Sequence, residues 1–147
     1  YLSGSNSLLE GNVISENQVT DRDWGHGGGL ALESSPARIY GNTVTANSAS
    51  YKGAGFYLSD SDAIVLGNVV VDNGSPADGG GFYLLNCDGA VMQGNTVAGN
   101  EANNGAGLLL SNSDVAMKDN TVSANVASNV GGGLAMWWSK PELDANT

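Results

Sequence analysis

Positive charge is scarce in this chain: five Lys and Arg stand against fifteen Asp and Glu, a formal charge of −10 over 147 residues. Gripping nucleic acid takes a basic patch that displaces counterions from phosphate, so a nucleic-acid partner is excluded. The same imbalance disfavours electrostatic docking on an anionic membrane. No apolar run reaches the ~18 residues a transmembrane helix needs, so membrane insertion by a helix is not expected. Cysteine is nearly missing too. The single Cys87 excludes an internal disulfide. A catalytic thiol needs a base beside it, and the only histidine, His26, is remote in sequence. Cys87 therefore reads as a small packed or turn residue. Apolar spacing of helical period is absent, and Gly and β-branched residues crowd the apolar stretches, which argues against helix.

What the chain has in quantity is glycine, 22 residues, and much of it is periodic. The run Gly27-Gly28-Gly29-Leu30-Ala31-Leu32 is answered by GAGFYL from Gly53, GGGFYL from Gly79, GAGLLL from Gly105 and GGGLAM from Gly131. The first glycines are thus 26 residues apart at each step. A fixed period of this length marks a solenoid, in which each repeat is one unit stacked on its neighbours. In register, Leu30, Phe56, Phe82, Leu108 and Leu134 share one position, and Leu32, Leu58, Leu84, Leu110 and Met136 another. Alternation of this kind places both files on one face of a strand. Ile39, Val65, Met92, Met117 and Leu143 make an inward file on a second strand, with one extra residue near Asp88-Gly89. Ile14, Val44, Val70, Val97 and Val122 make one on a third.

Two asparagine columns separate these strands. One holds Asn12, Asn42, Asn68, Asn95, Asn120 and Asn146; the other holds Asn17, Asn47, Asn73, Asn100 and Asn125. Asn tolerates left-handed backbone and bonds its own turn. Stacked on identical turns, its amide also pairs with the Asn above and below. Both columns are expected to be structural ladders, which would occupy the amide of the lone glycosylation sequon, Asn73-Gly74-Ser75. A leucine-rich repeat is the rival architecture, since Ile39-x-x-Asn42-x-Val44 echoes its asparagine motif. Such a repeat needs a Leu-x-x-Leu-x-Leu lead-in and a helical return. Here the return is another Gly-led strand, so the expected fold is a parallel β-helix of about five 26-residue rungs with three short strands each.

GGGLALESS, GNTVTANSAS and GGGFYL resemble the repeats of bacterial right-handed parallel β-helix proteins, including pectin-lyase-like chains and the Gly-Gly-rich repeats of polymorphic outer-membrane proteins. The resemblance covers essentially the whole chain. It implies a single-stranded right-handed coil and an extracellular or cell-surface location, but one scaffold hosts many activities. Residues 1–147 read as a single segment. Tyr1 and Thr147 both fall inside the rung pattern, so a segment cut from a longer solenoid, or a unit that stacks end to end, is expected.

Three surface features could carry function. An outward column beside the inner files holds Ala31, Tyr57, Tyr83, Leu109 and Ala135, with Trp137 and Trp138 nearby. Flat rings spaced along a solenoid could stack on sugars or meet a protein partner; packing under a neighbouring loop is the alternative. An acidic column holds Asp62, Asp88 and Asp114, with Asp60 close by and Lys140 next in line. Like carboxylates one rung apart repel unless neutralised, which calcium could do; turn chemistry at an exposed bend is the alternative. The bend before the first glycine corner carries four inserted residues and holds Asp21, Arg22, Asp23 and His26, with Lys52 and Asp78 taking the position of His26 in later rungs. A lyase could use His26 or Lys52 as base and Arg22 against a uronate carboxylate, and a hydrolase could pair carboxylates from Asp21, Asp23 and Asp78. The hydrolase and lyase signatures of the resembled family have no residue-by-residue match here. The leading expectation is a non-enzymatic, secreted or surface-bound structural or adhesive segment with a face that could contact glycans. The alternative is a fragment of a polysaccharide lyase or glycoside hydrolase. Ice binding would want flat threonine arrays, and the column Val13, Thr43, Val69, Thr96, Thr121 and Thr147 is interrupted by valines.

Overall fold

A computed structural model describes residues 1–21 and 23–147. The described chain forms short strands and bends, with no helix among the described residues. Every strand pairing is parallel and joins one rung to the next. The first sheet stacks Leu2–Ser3, Leu30–Glu33, Phe56–Ser59, Phe82–Leu85, Leu108–Ser111 and Leu134–Trp137. The second stacks Leu8–Glu10, Arg38–Tyr40, Ile64–Leu66, Val91–Gln93, Ala116–Lys118 and Glu142–Asp144. The third stacks Val13–Ser15, Thr43–Thr45, Val69–Val71, Thr96–Ala98 and Thr121–Ser123. The insertions fall where the sequence spacing puts them. Leu8 pairs with Arg38 across the longer first bend, and Ile64 pairs with Val91 across the extra residue at Asp88-Gly89.

The four inward files meet inside the coil. Phe56 and Phe82 stack at 4.7 Å with planes 5° apart, and both are fully buried with Leu32, Leu58, Leu84, Ile39 and Val44. In the last rung the same files are more open: Met136 is 48% and Leu143 53% exposed.

Each corner between sheets is built from two consecutive residues with different tasks. The first takes left-handed backbone; the second points inward and bonds to its counterpart one rung on. Gly41, Gly67 and Asp119 precede the first asparagine column, and Ala46, Asp72 and Ala124 the second, all with φ between 53° and 62°. This corrects the sequence reading, which gave the left-handed role to the asparagines themselves. The asparagines instead hold the rungs together. Asn68 Nδ2 donates to the carbonyls of Ile39 and Leu66 and to Asn95 Oδ1 at 2.8–3.1 Å, while its own Oδ1 accepts from Asn42 N and Nδ2. Asn73 Nδ2 is consumed in the same way by Val44, Val71 and Asn100, and the residue is 1% exposed. The sequon amide is therefore occupied.

The remaining corner has a third ladder that the sequence reading passed over. Ser5, Ser35, Ser61, Cys87, Ser113 and Ser139 occupy equivalent places after Gly4, Ser34, Asp60, Asn86, Asn112 and Trp138, all of positive φ. Ser35 N donates to Ser61 Oγ, Cys87 N to Ser113 Oγ and Ser113 N to Ser139 Oγ, each at 3.0 Å. Cys87 thus stands in for a serine: it is fully buried, its Sγ donates to the Leu85 carbonyl, and burial raises the thiol to a pKa of about 11. That is the environment of an inert thiol.

The glycine triplets serve two of these needs. The first glycine of each has φ between 55° and 68°, where a side chain is strained. The third lets backbones approach: a Cβ on Gly55 would lie 2.5 Å from the Gly81 carbonyl and 3.0 Å from Val70 Cγ1.

Candidate functional site

The outward column does not lie in solvent. Tyr57 is 7% and Tyr83 2% exposed, and Ala31, Leu109 and Ala135 are buried with them in a second apolar cluster outside the coil. Of the two readings of this column, packing beneath a neighbouring loop is the one that the burial of Tyr57 and Tyr83 fits, and neither ring offers an open face to a sugar. The cause is a fourth, narrow line of pairing along the bends. His26 bridges Lys52, Lys52 bridges Asp78 and Asp78 bridges Asn104, all parallel. Glu101–Asn104 with Val126–Val130 extends it, and a companion line runs from Gln18–Val19 through Ser48–Ala49 and Gly74 to Glu101. Side chains from the first of these lines cover the outward tyrosines, His26 packing on Tyr57 and Lys52 on Tyr83, and so roof that part of the first sheet. Trp137 and Leu85 pack against the same cluster.

Along that roof the structure gathers three of the six bend candidates. The His26 ring lies parallel to Tyr57 at 4.3 Å, and Tyr57 stacks on Tyr83 at 5.6 Å. Lys52 Nζ donates to Tyr83 Oη at 3.0 Å, sits 3.8 Å from Asp78 Oδ2, and lies over the Tyr51 and Tyr83 rings. Asp78 Oδ1 in turn accepts from Asn104 Nδ2 at 2.8 Å, and Asn104 Oδ1 from Asn129 Nδ2. Burial works against the Lys52 charge, but the Tyr83 bond and the nearby Tyr and Asp78 oxygens outweigh it and hold the ammonium above its ordinary range. A protonated lysine engaged in this way is a poor base. The His26 pKa is lowered, first by burial and then by Lys52. Burial raises the Tyr57 hydroxyl.

The other candidates lie apart. Asp21 is exposed, and its Oδ1 accepts from the backbone N–H of Asp23 and Trp24 at 3.0 Å, which lowers its pKa. Asp23 is exposed as well. Arg22 lies outside the described residues. Among the described residues, no ion pair or hydrogen bond joins Asp21 or Asp23 to Lys52 or Asp78.

The acidic column is bonded to the backbone. Asp62 Oδ1 accepts from Gly89 N at 2.9 Å, Asp88 Oδ1 from Asp114 N at 3.1 Å and Asp114 Oδ1 from Lys140 N at 2.6 Å. Asp60 belongs to a neighbouring file and accepts from Asn86 Nδ2 at 3.1 Å. Among the described residues no group of three or more His, Cys, Asp or Glu side chains is placed to hold a metal ion.

Trp137 and Trp138 are the aromatic candidates that reach the surface. Trp138 is 86% exposed, at φ 52°, in the left-handed corner position that Asp60, Asn86 and Asn112 fill in earlier rungs. A bulky residue rarely adopts this backbone. Trp137 is half-buried and pairs in register with Ser111, and the two indoles line an open groove.

A family model described as a right-handed beta helix region matches residues 1–122 and again 51–147. No curated protein and no solved structure matches the chain.

Proposed function

Because the chain belongs to the right-handed β-helix family, we propose that it works as a rigid, non-enzymatic structural and adhesive element of a secreted or surface-bound bacterial protein, and that its Trp137–Trp138 edge contacts glycans. The observation that carries the reading is Trp138, an indole 86% exposed and held in left-handed backbone beside a second indole. Strained, solvent-facing aromatics are expensive to keep without a use, and indole faces stack well on sugar rings. The acidic exterior fits a soluble, non-aggregating surface element. The ladders supply stiffness, since each rung is tied to the next at three corners. Stacking of copies along the axis belongs to the same proposal, because the ladder donors and acceptors repeat in one register.

The test is a tryptophan-fluorescence titration with soluble neutral and acidic polysaccharides. Saturable quenching that Trp138→Ala abolishes, and that Tyr57→Phe leaves intact, is the expected result. No saturable change with any polysaccharide would remove the glycan contact. Light scattering over a concentration series tests the stacking: a strict monomer at every concentration removes it.

One observation favours the lyase or hydrolase alternative: His26, Lys52 and Asp78 are register neighbours on one roof. Incubation with pectin, alginate and chondroitin distinguishes the readings. Release of unsaturated uronates or reducing ends, lost in Lys52→Met, would replace the structural reading with an enzymatic one.

A further inference from the structure

We propose that His26 is a pH-sensitive latch, which docks its bend on the outer tyrosine file when neutral and releases it on mild acidification. The dock is a matter of shape. In the outward column the residue paired in register with Tyr57 is Ala31, and its small side chain leaves a ring-sized gap above Tyr57. His26 fills it from the bend, parallel to Tyr57 at 4.3 Å and 7°, with Tyr51 at 5.4 Å on another side and Trp24 edge-on at 6.3 Å. The backbone hooks on at the same place: Gly27 N donates to the Lys52 carbonyl, and Tyr51 N to the Gly25 carbonyl.

The docked ring has no provision for a second proton. His26 Nδ1 is buried and has no hydrogen-bond partner among the described residues. A proton added there, or one that forces Nδ1 to become a donor, meets no acceptor. The surrounding charges offer little relief. From the next rung come Lys52, whose ammonium opposes a second cation, and the Tyr51 hydroxyl; Asp78 stands behind Lys52 and is already paired with it. From the sheet come Tyr57 and Glu33, and the Glu33 carboxylate accepts from Tyr1 Oη at 2.5 Å. From the bend itself come Asp21, whose carboxylate is taken by the Asp23 and Trp24 amides, and Asp23. Among the described residues the Glu33 carboxylate favours the imidazolium, and burial and Lys52 outweigh it.

The sign follows from linkage. A base whose pKa is lower when docked than when free stabilises the docked state fully above the ordinary histidine value of about 6.5. That contribution is lost as pH falls from there through the lowered docked value. Release would bare the Tyr57 face, now 7% exposed. The latch would thus turn a roofed aromatic file into an accessible one in mildly acidic surroundings.

His26 is the only histidine in the chain, so its ring protons can be followed by NMR without ambiguity. The expected midpoint lies below about 6.5. Amide exchange at Gly27 and Tyr51, corrected for intrinsic rates, should accelerate on acidification by up to about tenfold for each pH unit of that lowering. Lys52→Gln should move the midpoint up towards the ordinary value. His26→Phe should keep the stack and abolish the pH dependence of exchange. A wild-type midpoint at or above the ordinary value would overturn the proposal, as would an unchanged pH dependence in His26→Phe.

Discussion

Phe82 and Tyr83 are neighbours in sequence and almost equally hidden from water, at 0% and 2% exposure. They belong to different cores. Phe82 points into the coil, where Phe56 lies above it and files from all three sheets surround it. Tyr83 points outward and is hidden because the line of bends through Lys52 and Asp78 roofs that face. The inner core closes because the backbone coils. The outer one closes only because particular side chains, among them His26, Lys52 and Trp137, fold over it. Burial in a solenoid therefore has two origins, one set by the repeat and one set by what differs between repeats.

Substitutions can break that comparison, beginning with the inner file. Phe82→Ala removes a ring with no room for collapse and should cost about 3–5 kcal/mol in chemical denaturation. Asn68→Ala should come next, on the order of 3 kcal/mol. It strands the Ile39 and Leu66 carbonyls and the Asn42 donors in the interior. In the outer core, Tyr57→Ala should cost about 2 kcal/mol, because its roof can partly settle onto the gap. Tyr83→Phe, which keeps the ring stack and the Lys52 ring contact and removes only the hydrogen bond from Lys52, should cost about 1 kcal/mol. If Tyr57→Ala proved as costly as Phe82→Ala, the two cores would be one cooperative unit. Cys87→Ser should change stability by less than about 1 kcal/mol, since serine is the ladder residue in the other rungs. The wild-type thiol should resist labelling until the protein unfolds. Smallest of all, Asp62→Ala removes one exposed bond to Gly89 and should stay within about 0.5 kcal/mol, with the melting temperature indifferent to calcium chelation.

What was legible in the sequence is what repeats. The inward files, both asparagine ladders and the positions of the two insertions were readable, because each depends on one residue type recurring at the rung period. Right-handedness came with the resemblance, not from the spacing. Cover over the Tyr57 column was one of the two readings open in the sequence, but the residues that make the roof were not legible, because its parts do not recur. His26 lies at the end of an insertion, Lys52 and Asp78 differ in charge, and Ala31 contributes by being small. The serine ladder was missed for a different reason. Its signal was present, a serine eight positions after the first glycine of each triplet, but Cys87 interrupts it and serine is common in turns. The corner rule, a left-handed residue followed by an inward bonding one, would have recovered it. The same rule picks out Trp138 as the odd residue in a file of small polar ones.

The asparagine ladders have a sense of direction. In every pair the lower-numbered residue gives its amide hydrogen and the higher-numbered one takes it, from Asn12 to Asn42 through to Asn120 and Asn146. The amide dipoles therefore line up head to tail, and each bond polarises the next. The interior holds two parallel polar wires, threaded through hydrocarbon. Flipping a single amide would set hydrogen against hydrogen on one side and oxygen against oxygen on the other. A rung can accordingly join the pile in one orientation only, and the column keeps its heading without any help from its surface.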